Sequence, residues 1–129
     1  MKEQLAAELR SQGYTITDHG TFSADSTDYP DYAHAVARAV EADAQSLGIL
    51  LCGSANGVAI TANKHAGIRA ALCWTAEIAS LARQHNNANV LCIPARFVES
   101  DVAFEMANTF LNTSFEGGRH QARVNKIPC

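Results

Sequence analysis

The apolar run Leu47-Gly48-Ile49-Leu50-Leu51 passes without a break into the small-residue stretch Cys52-Gly53-Ser54-Ala55-Asn56-Gly57. An unbroken apolar run predicts a parallel strand covered on both faces, since a solvated face would call for alternation with polar residues. The stretch after it predicts a tight loop, followed by a helix over about Val58–His65. Strand, loop and helix in that order are the repeating unit of an α/β domain.

The remaining chain repeats the alternation. Leu5, Ala6 and Leu9 share one face of a helix over residues 2–12, which Gly13 stops. Tyr14-Thr15-Ile16-Thr17 alternates as a strand does, and a polar loop runs from Asp18 to Asp28. Pro30 opens a helix through about Ala42, with Tyr32, Val36 and Val40 inward. Strands follow at Ile68–Cys73 and Val90–Ile93, and helices run from Thr75, a good N-cap, to Arg83 and from Ser100 to Leu111. The expected fold is a Rossmann-like three-layer α/β sandwich on a mainly parallel sheet. Such a sheet normally opens with a strand. This chain opens with a helix, so either the fold is unusual or its first strand is missing.

At 129 residues there is room for one domain over residues 1–129. A net charge of −3 argues against nucleic-acid binding. No stretch approaches the ~20 apolar residues of a membrane span, and the N-terminus has no apolar signal core. Cys52, Cys73, Cys92 and Cys129 lie far apart, with no metal-ligand spacing, and fit a reducing cytoplasm. Cys73 and Cys92 end apolar runs and read as buried thiols.

Three groups of residues carry candidate chemistry. Cys52 stands where its strand ends and the loop begins, the end at which open α/β sheets bind ligands. The loop amides and the helix start form an anion site, and the same positive end favours a thiolate. Spacing alone leaves any strand–loop–helix anion site open; without a full G-x-G-x-x-G or a G-K-[ST], dinucleotide and nucleoside-triphosphate roles are disfavoured. His85-Asn86 falls on a helix-to-strand connection, at the opposite end of the sheet from Cys52, where a solvated histidine is the plain alternative. Arg119 and Arg123 lie four apart, on one face of any helix, as phosphate recognition wants, although a solvated basic face is the commoner meaning of that spacing. His34 and His65 read as helix-surface residues.

Gly20-Thr21, Asp28-Tyr29-Pro30-Asp31-Tyr32-Ala33, Cys52-Gly53-Ser54 through Gly57, Ala62-Asn63-Lys64, Gly67-Ile68-Arg69-Ala70-Ala71, Arg83-Gln84-His85-Asn86, Ala88-Asn89-Val90 and Phe115-Glu116-Gly117-Gly118-Arg119-His120-Gln121 occur in this order and spacing. Together they resemble the type B ribose-5-phosphate isomerase family, which also contains the galactose-6-phosphate isomerase subunits. The resemblance implies an aldose–ketose isomerase that needs no cofactor. It implies Cys52 as the base, the Gly53–Gly57 loop (Gly53, Ser54, Ala55, Asn56, Gly57) as the enediolate-stabilising element, and His85 as the ring opener with Asn86 beside it. Arg96, Arg119 and Arg123 match substrate-binding positions, the last two gripping phosphate, and His120 is a further phosphate-pocket candidate. It also implies a homodimer with active sites shared between subunits, which two dimers can extend to a tetramer, and a 117–129 tail that serves the partner subunit.

Two departures stand out. Ser54-Ala55-Asn56 replaces the Thr-Gly-Ile or Thr-Gly-Val of many members. The family's opening strand and its Asp-His-Ala-Gly turn have no counterpart; Asp18-His19-Gly20 matches the later Asp-x-Gly-Thr instead. The resemblance therefore predicts that Met1 is an internal methionine, with the strand encoded upstream. Competing readings are a hexose-phosphate isomerase such as that for galactose 6-phosphate, a non-catalytic sugar-phosphate-binding module, and a redox protein using Cys52, which lacks a partner cysteine.

Overall fold

The computed structural model describes residues 1–20 and 28–128; Cys129 and most of the loop expected from Asp18 to Asp28, Thr21 included, lie outside the described residues. Three strands, β1 (Gly48–Cys52), β2 (Ala70–Leu72) and β3 (Val90–Pro94), form a parallel sheet in the order β1-β3-β2. Six helices surround it among the described residues: α1 (Lys2–Ser11), α2 (Tyr29–Ala42), α3 (Asn56–Ala62), α4 (Ala76–Asn86), α5 (Ser100–Asn112) and α6 (Arg119–Asn125).

The central strand is buried throughout, and its side-chain alternation divides the core. Leu91 and Ile93 join Leu5, Leu9, Ala82, Met106 and Phe110 on the face covered by α1, α4 and α5. Val90 and Cys92 join Ala33, Val40, Leu50 and Val58 on the face covered by α2 and α3. Period-two geometry thus builds the three layers from one strand. Cys73 and Cys92 are fully buried, and desolvation pushes their thiols up to about 11 and about 12. Neither is a thiolate near neutrality.

Helix boundaries follow local chemistry. Thr75 accepts the Ile78 amide at 3.2 Å, capping α4 as its sequence position suggested. Asn63 bonds both backbone groups of Ala70, at 2.8 and 3.0 Å, and so acts as a side-chain substitute for a strand edge beside β2. Asn89 likewise accepts from the Arg69 amide and donates to the Gly67 carbonyl. His34 and His65 are not merely solvated: their rings hydrogen-bond at 2.7 Å, and His65 reaches Glu41 at 3.1 Å, tying α2 to the turn after α3.

Where α2 crosses β1 there is no room for a side chain. A Cβ on Gly48 would stand 2.8 Å from Val36 Cγ1, 3.1 Å from Val40 Cγ2 and 3.2 Å from Val90 Cγ2. Gly48→Ala should therefore cost about 1–3 kcal/mol through overpacking. Urea unfolding should show a lower midpoint; an unchanged one would mean that α2 yields freely.

Two expectations need correction. The helix after Gly57 spans Asn56–Ala62 rather than 58–65, because the chain turns helical straight after Ala55. Tyr14–Thr17 is not a strand among the described residues, since no strand lies beside it to pair with. Between that segment and β1 lies a cavity of about 710 Å³, lined by Leu9, Tyr14, Ile16, Val36, Ile49 and Leu51 among others. β1 pairs only with β3 among the described residues. Gly48 donates to Asn89 on the β3 side, so the Ile49 and Leu51 amides turn toward the cavity. This edge of β1 is unpaired among the described residues.

Candidate active site

The predicted residues fall into two groups at opposite ends of the sheet. The first is built on the carboxyl end of β1. Cys52 is half-buried there, and its carbonyl and that of Gly53 accept from Ala95 and Arg96 at 2.9 and 3.1 Å. These bonds fasten the loop to the end of β3. The Gly53, Ser54, Ala55 and Gly57 amides have no hydrogen-bond partner among the described residues, while the Asn56 amide donates to Ser54 Oγ at 3.3 Å. The loop thus presents free donors beside a thiol.

Two close approaches shape this loop. A Cβ on Gly53 would come within 3.1–3.2 Å of the Arg96 guanidinium end, so Arg96 lies flat over the glycine. A Cβ on Gly57 would run into the Tyr29 ring, so Tyr29, read from the sequence only as a family marker, walls the site. Ala55 takes a left-handed conformation, φ 64 and ψ 2, with its side chain buried. That conformation is strained for alanine by roughly 1–2 kcal/mol. It is also the position at which the resembling family carries glycine.

The second group gathers where α4 meets α6. His85 and Asn86 end α4, half-buried and exposed respectively. Arg119 and Arg123 lie on α6, both exposed, with side chains that have no ion-pair or hydrogen-bond partner among the described residues. Gly117 and Gly118, at φ 70 and 54, turn the chain into α6 and fold Glu116 back over its first turn. The Glu116 amide donates to the Gln84 carbonyl at 3.1 Å, which docks that turn on α4. His120 is buried and stacks on His85, with ring centroids 4.2 Å apart. Glu116 Oε1 lies 3.7 Å from His85 Nε2 and 3.6 Å from His120 Nε2. Desolvation, then the charges of His85 and Arg119, hold His120 below the ordinary imidazole value against the pull of Glu116. Arg83 points the other way, bonding the Thr113 and Ala88 carbonyls and covering Phe110, and so supports the fold.

The two groups cannot meet within one chain. Val90, which follows the α4 connection, pairs with Gly48, while Cys52 pairs with Pro94 at the far end. Four strand steps separate them by about 13 Å along the sheet alone.

The model of the ribose/galactose isomerase family matches residues 1–127. This chain belongs to that family. Among its relatives, ribose-5-phosphate isomerase B of Escherichia coli is 44% identical over 127 residues, which cover 98% of this chain and 85% of the relative. A solved ribose 5-phosphate isomerase from Thermotoga maritima superposes with a TM-score of 0.95 at 47% identity, covering 98% of this chain and 88% of that one. The Mycoplasma genitalium ribose-5-phosphate isomerase B, solved with bound ribulose 5-phosphate, gives a TM-score of 0.94 at 43% identity, covering 98% and 84%. Against the isomerase family, the marker asparagines Asn63 and Asn89 prove to be fold-holding residues. The side chains of Cys52, Arg119 and Arg123 have no hydrogen bond or ion pair among the described residues and hold no part of the fold that way.

Proposed function

We propose that this chain interconverts ribose 5-phosphate and ribulose 5-phosphate at sites shared between two subunits of a homodimer. The observation that carries the reading is the split itself: a thiol beside free amides at one end of the sheet, and a histidine with two unpaired arginines at the other. Each is half of a sugar-phosphate site, and a second subunit turned end for end brings them together. Trp74 and Phe97, which follow β2 and β3 at the Cys52 end, are 54% and 75% exposed and supply apolar surface for such a contact. No helix among the described residues is long and apolar enough to cross a membrane. The free thiols Cys52, Cys73 and Cys92 suit a reducing cytoplasm.

In this reading Arg119 and Arg123 of one subunit bind the phosphate, and His85 of the same subunit transfers a proton as the furanose ring opens. Asn86 and Arg96 bind the sugar hydroxyls. The Cys52 thiolate of the other subunit removes the C2 proton. The C2–H electrons form the C1–C2 double bond, and the carbonyl electrons move onto O1, giving a cis-enediolate. Free amides of the 53–57 loop face that charge, each worth about 3 kcal/mol when well aimed. Cys52 then returns the proton to C1 as the C2 carbonyl forms, and the O2 proton is replaced by one at O1. Proton and electron counts close without an external oxidant.

Substrate profiling tests the assignment. The kcat/KM for ribose 5-phosphate should exceed that for six-carbon aldose phosphates by at least about tenfold, as a pocket shaped for five carbons requires. The reverse ranking would make the chain a hexose-phosphate isomerase. Binding of both without turnover would make it a sugar-phosphate-binding module.

A further inference from the structure

His85, Glu116 and His120 each offer one ligand atom, and all three atoms lie within 4.8 Å of one another. They come from the end of α4, the turn before α6 and the first turn of α6, so the α4–α6 contact assembles them. None of the three side chains has a hydrogen bond or ion pair outside the trio among the described residues. At 3.6 and 3.7 Å the carboxylate is too far from either imidazole for a good hydrogen bond. Two bonds of about 2.1 Å at a tetrahedral angle place ligand atoms about 3.4 Å apart. The two Glu116 separations therefore already fit an ion between the groups.

We propose that His85, Glu116 and His120 form a binding site for a divalent transition-metal ion of the zinc class, and that the ion withdraws His85 from the reaction. Two imidazole nitrogens and one carboxylate oxygen are the donor set such ions take, with a fourth position left to solvent. The rings now stack at an interplanar angle of 14°, so neither lone pair points midway between them. The His85 ring must tilt out of the stack. Its side chain is 39% exposed and has solvent to turn into, whereas His120 is only 9% exposed and stays as the fixed ligand. Arg119 and Arg123 repel a dication, which Glu116 offsets, so affinity should be moderate and should fall with loss of the carboxylate. The loss of activity, unlike the binding, rests on the proposed role of His85.

Cobalt(II) titration of the purified protein tests the site, because its visible spectrum separates thiolate from imidazole and carboxylate ligation. One ion should bind per chain without a thiolate charge-transfer band. Glu116→Gln, at an exposed side chain, and His85→Gln, at a half-buried one, both outside the hydrophobic core, should each weaken binding at least tenfold. No saturable binding, a thiolate band from Cys52, or affinity unchanged in both variants would overturn the site. Zinc should also inhibit turnover of the metal-free protein, and Glu116→Gln should need at least tenfold more zinc for the same fractional inhibition of its own rate. Stoichiometric binding at the trio with full turnover retained would overturn the inhibitory half, and with it the role of His85, while leaving the metal site standing.

Discussion

Cys52→Ala should lower kcat for ribose 5-phosphate by at least about 10³-fold, within the upper range for removal of a general base, while a phosphate-bearing inhibitor binds almost unchanged. The split follows from geometry. The arginines assigned to phosphate lie at the other end of the sheet and, in the proposed dimer, act from the other subunit, so the thiol contributes little to ground-state binding. Cys52 is half-buried at the margin of the α2–α3 cluster, so truncation to Ala removes one small side chain and leaves the fold in place. Cys52→Ser should be nearly as slow, because a hydroxyl stays protonated where a thiol ionises. Turnover within tenfold of the parent in both variants would show that another group takes the C2 proton. An equal loss of inhibitor binding would place Cys52 in substrate recognition instead.

What the sequence made legible is what local physics decides. Leu47–Leu51 predicted a strand covered on both faces; β1 pairs in parallel with β3, with Gly48 and Leu50 buried but Ile49 and Leu51 only half-buried on the cavity side. Thr75 and Pro30 marked helix starts because capping and proline geometry act within one turn. Tyr14–Thr17 has the alternation of a strand but is not one here. Pairing depends on a neighbour that the segment cannot supply, and a cavity stands between it and β1. The candidate site divides in the same way. Cys52 was readable from its place at a strand end, and the loop from its small residues. Glu116 was not. Its position beside His85 depends on two glycines with positive φ and on a hydrogen bond to Gln84 from 32 residues along the chain. Ala55 was recognisable as a departure, but only its backbone angles show why glycine suits the place. Tyr29 was read as a sequence marker, and its contact with Gly57 becomes visible only once α2 lies against α3.

Mixing two inactive variants should restore activity. On the proposed mechanism, Cys52→Ala deprives each shared site of its base, and His85→Ala deprives each of its ring-opening group. A mixed dimer joins one chain of each kind. One of its sites then carries both substitutions, and the other carries an intact Cys52 from one chain and an intact His85 from the other. Random exchange of equal amounts makes half the dimers mixed, so roughly a quarter of the parent activity should return for isologous pairing. The His85 variant must be assayed with ring-closed substrate, since open-chain sugar would bypass its defect. Unfolding each variant and refolding them together gives the exchange, and separately refolded samples, mixed afterwards under conditions that prevent exchange, give the baseline. The alternative, a site within one chain, allows no recovery under any mixing ratio. It would also require His85 and Cys52 to approach across the length of the sheet, from the Gly48–Val90 end to the Cys52–Pro94 end, which strands held in register do not permit. Recovery that rises and falls with the mixed-dimer fraction would therefore fix both the oligomer and the ownership of each catalytic group in a single titration.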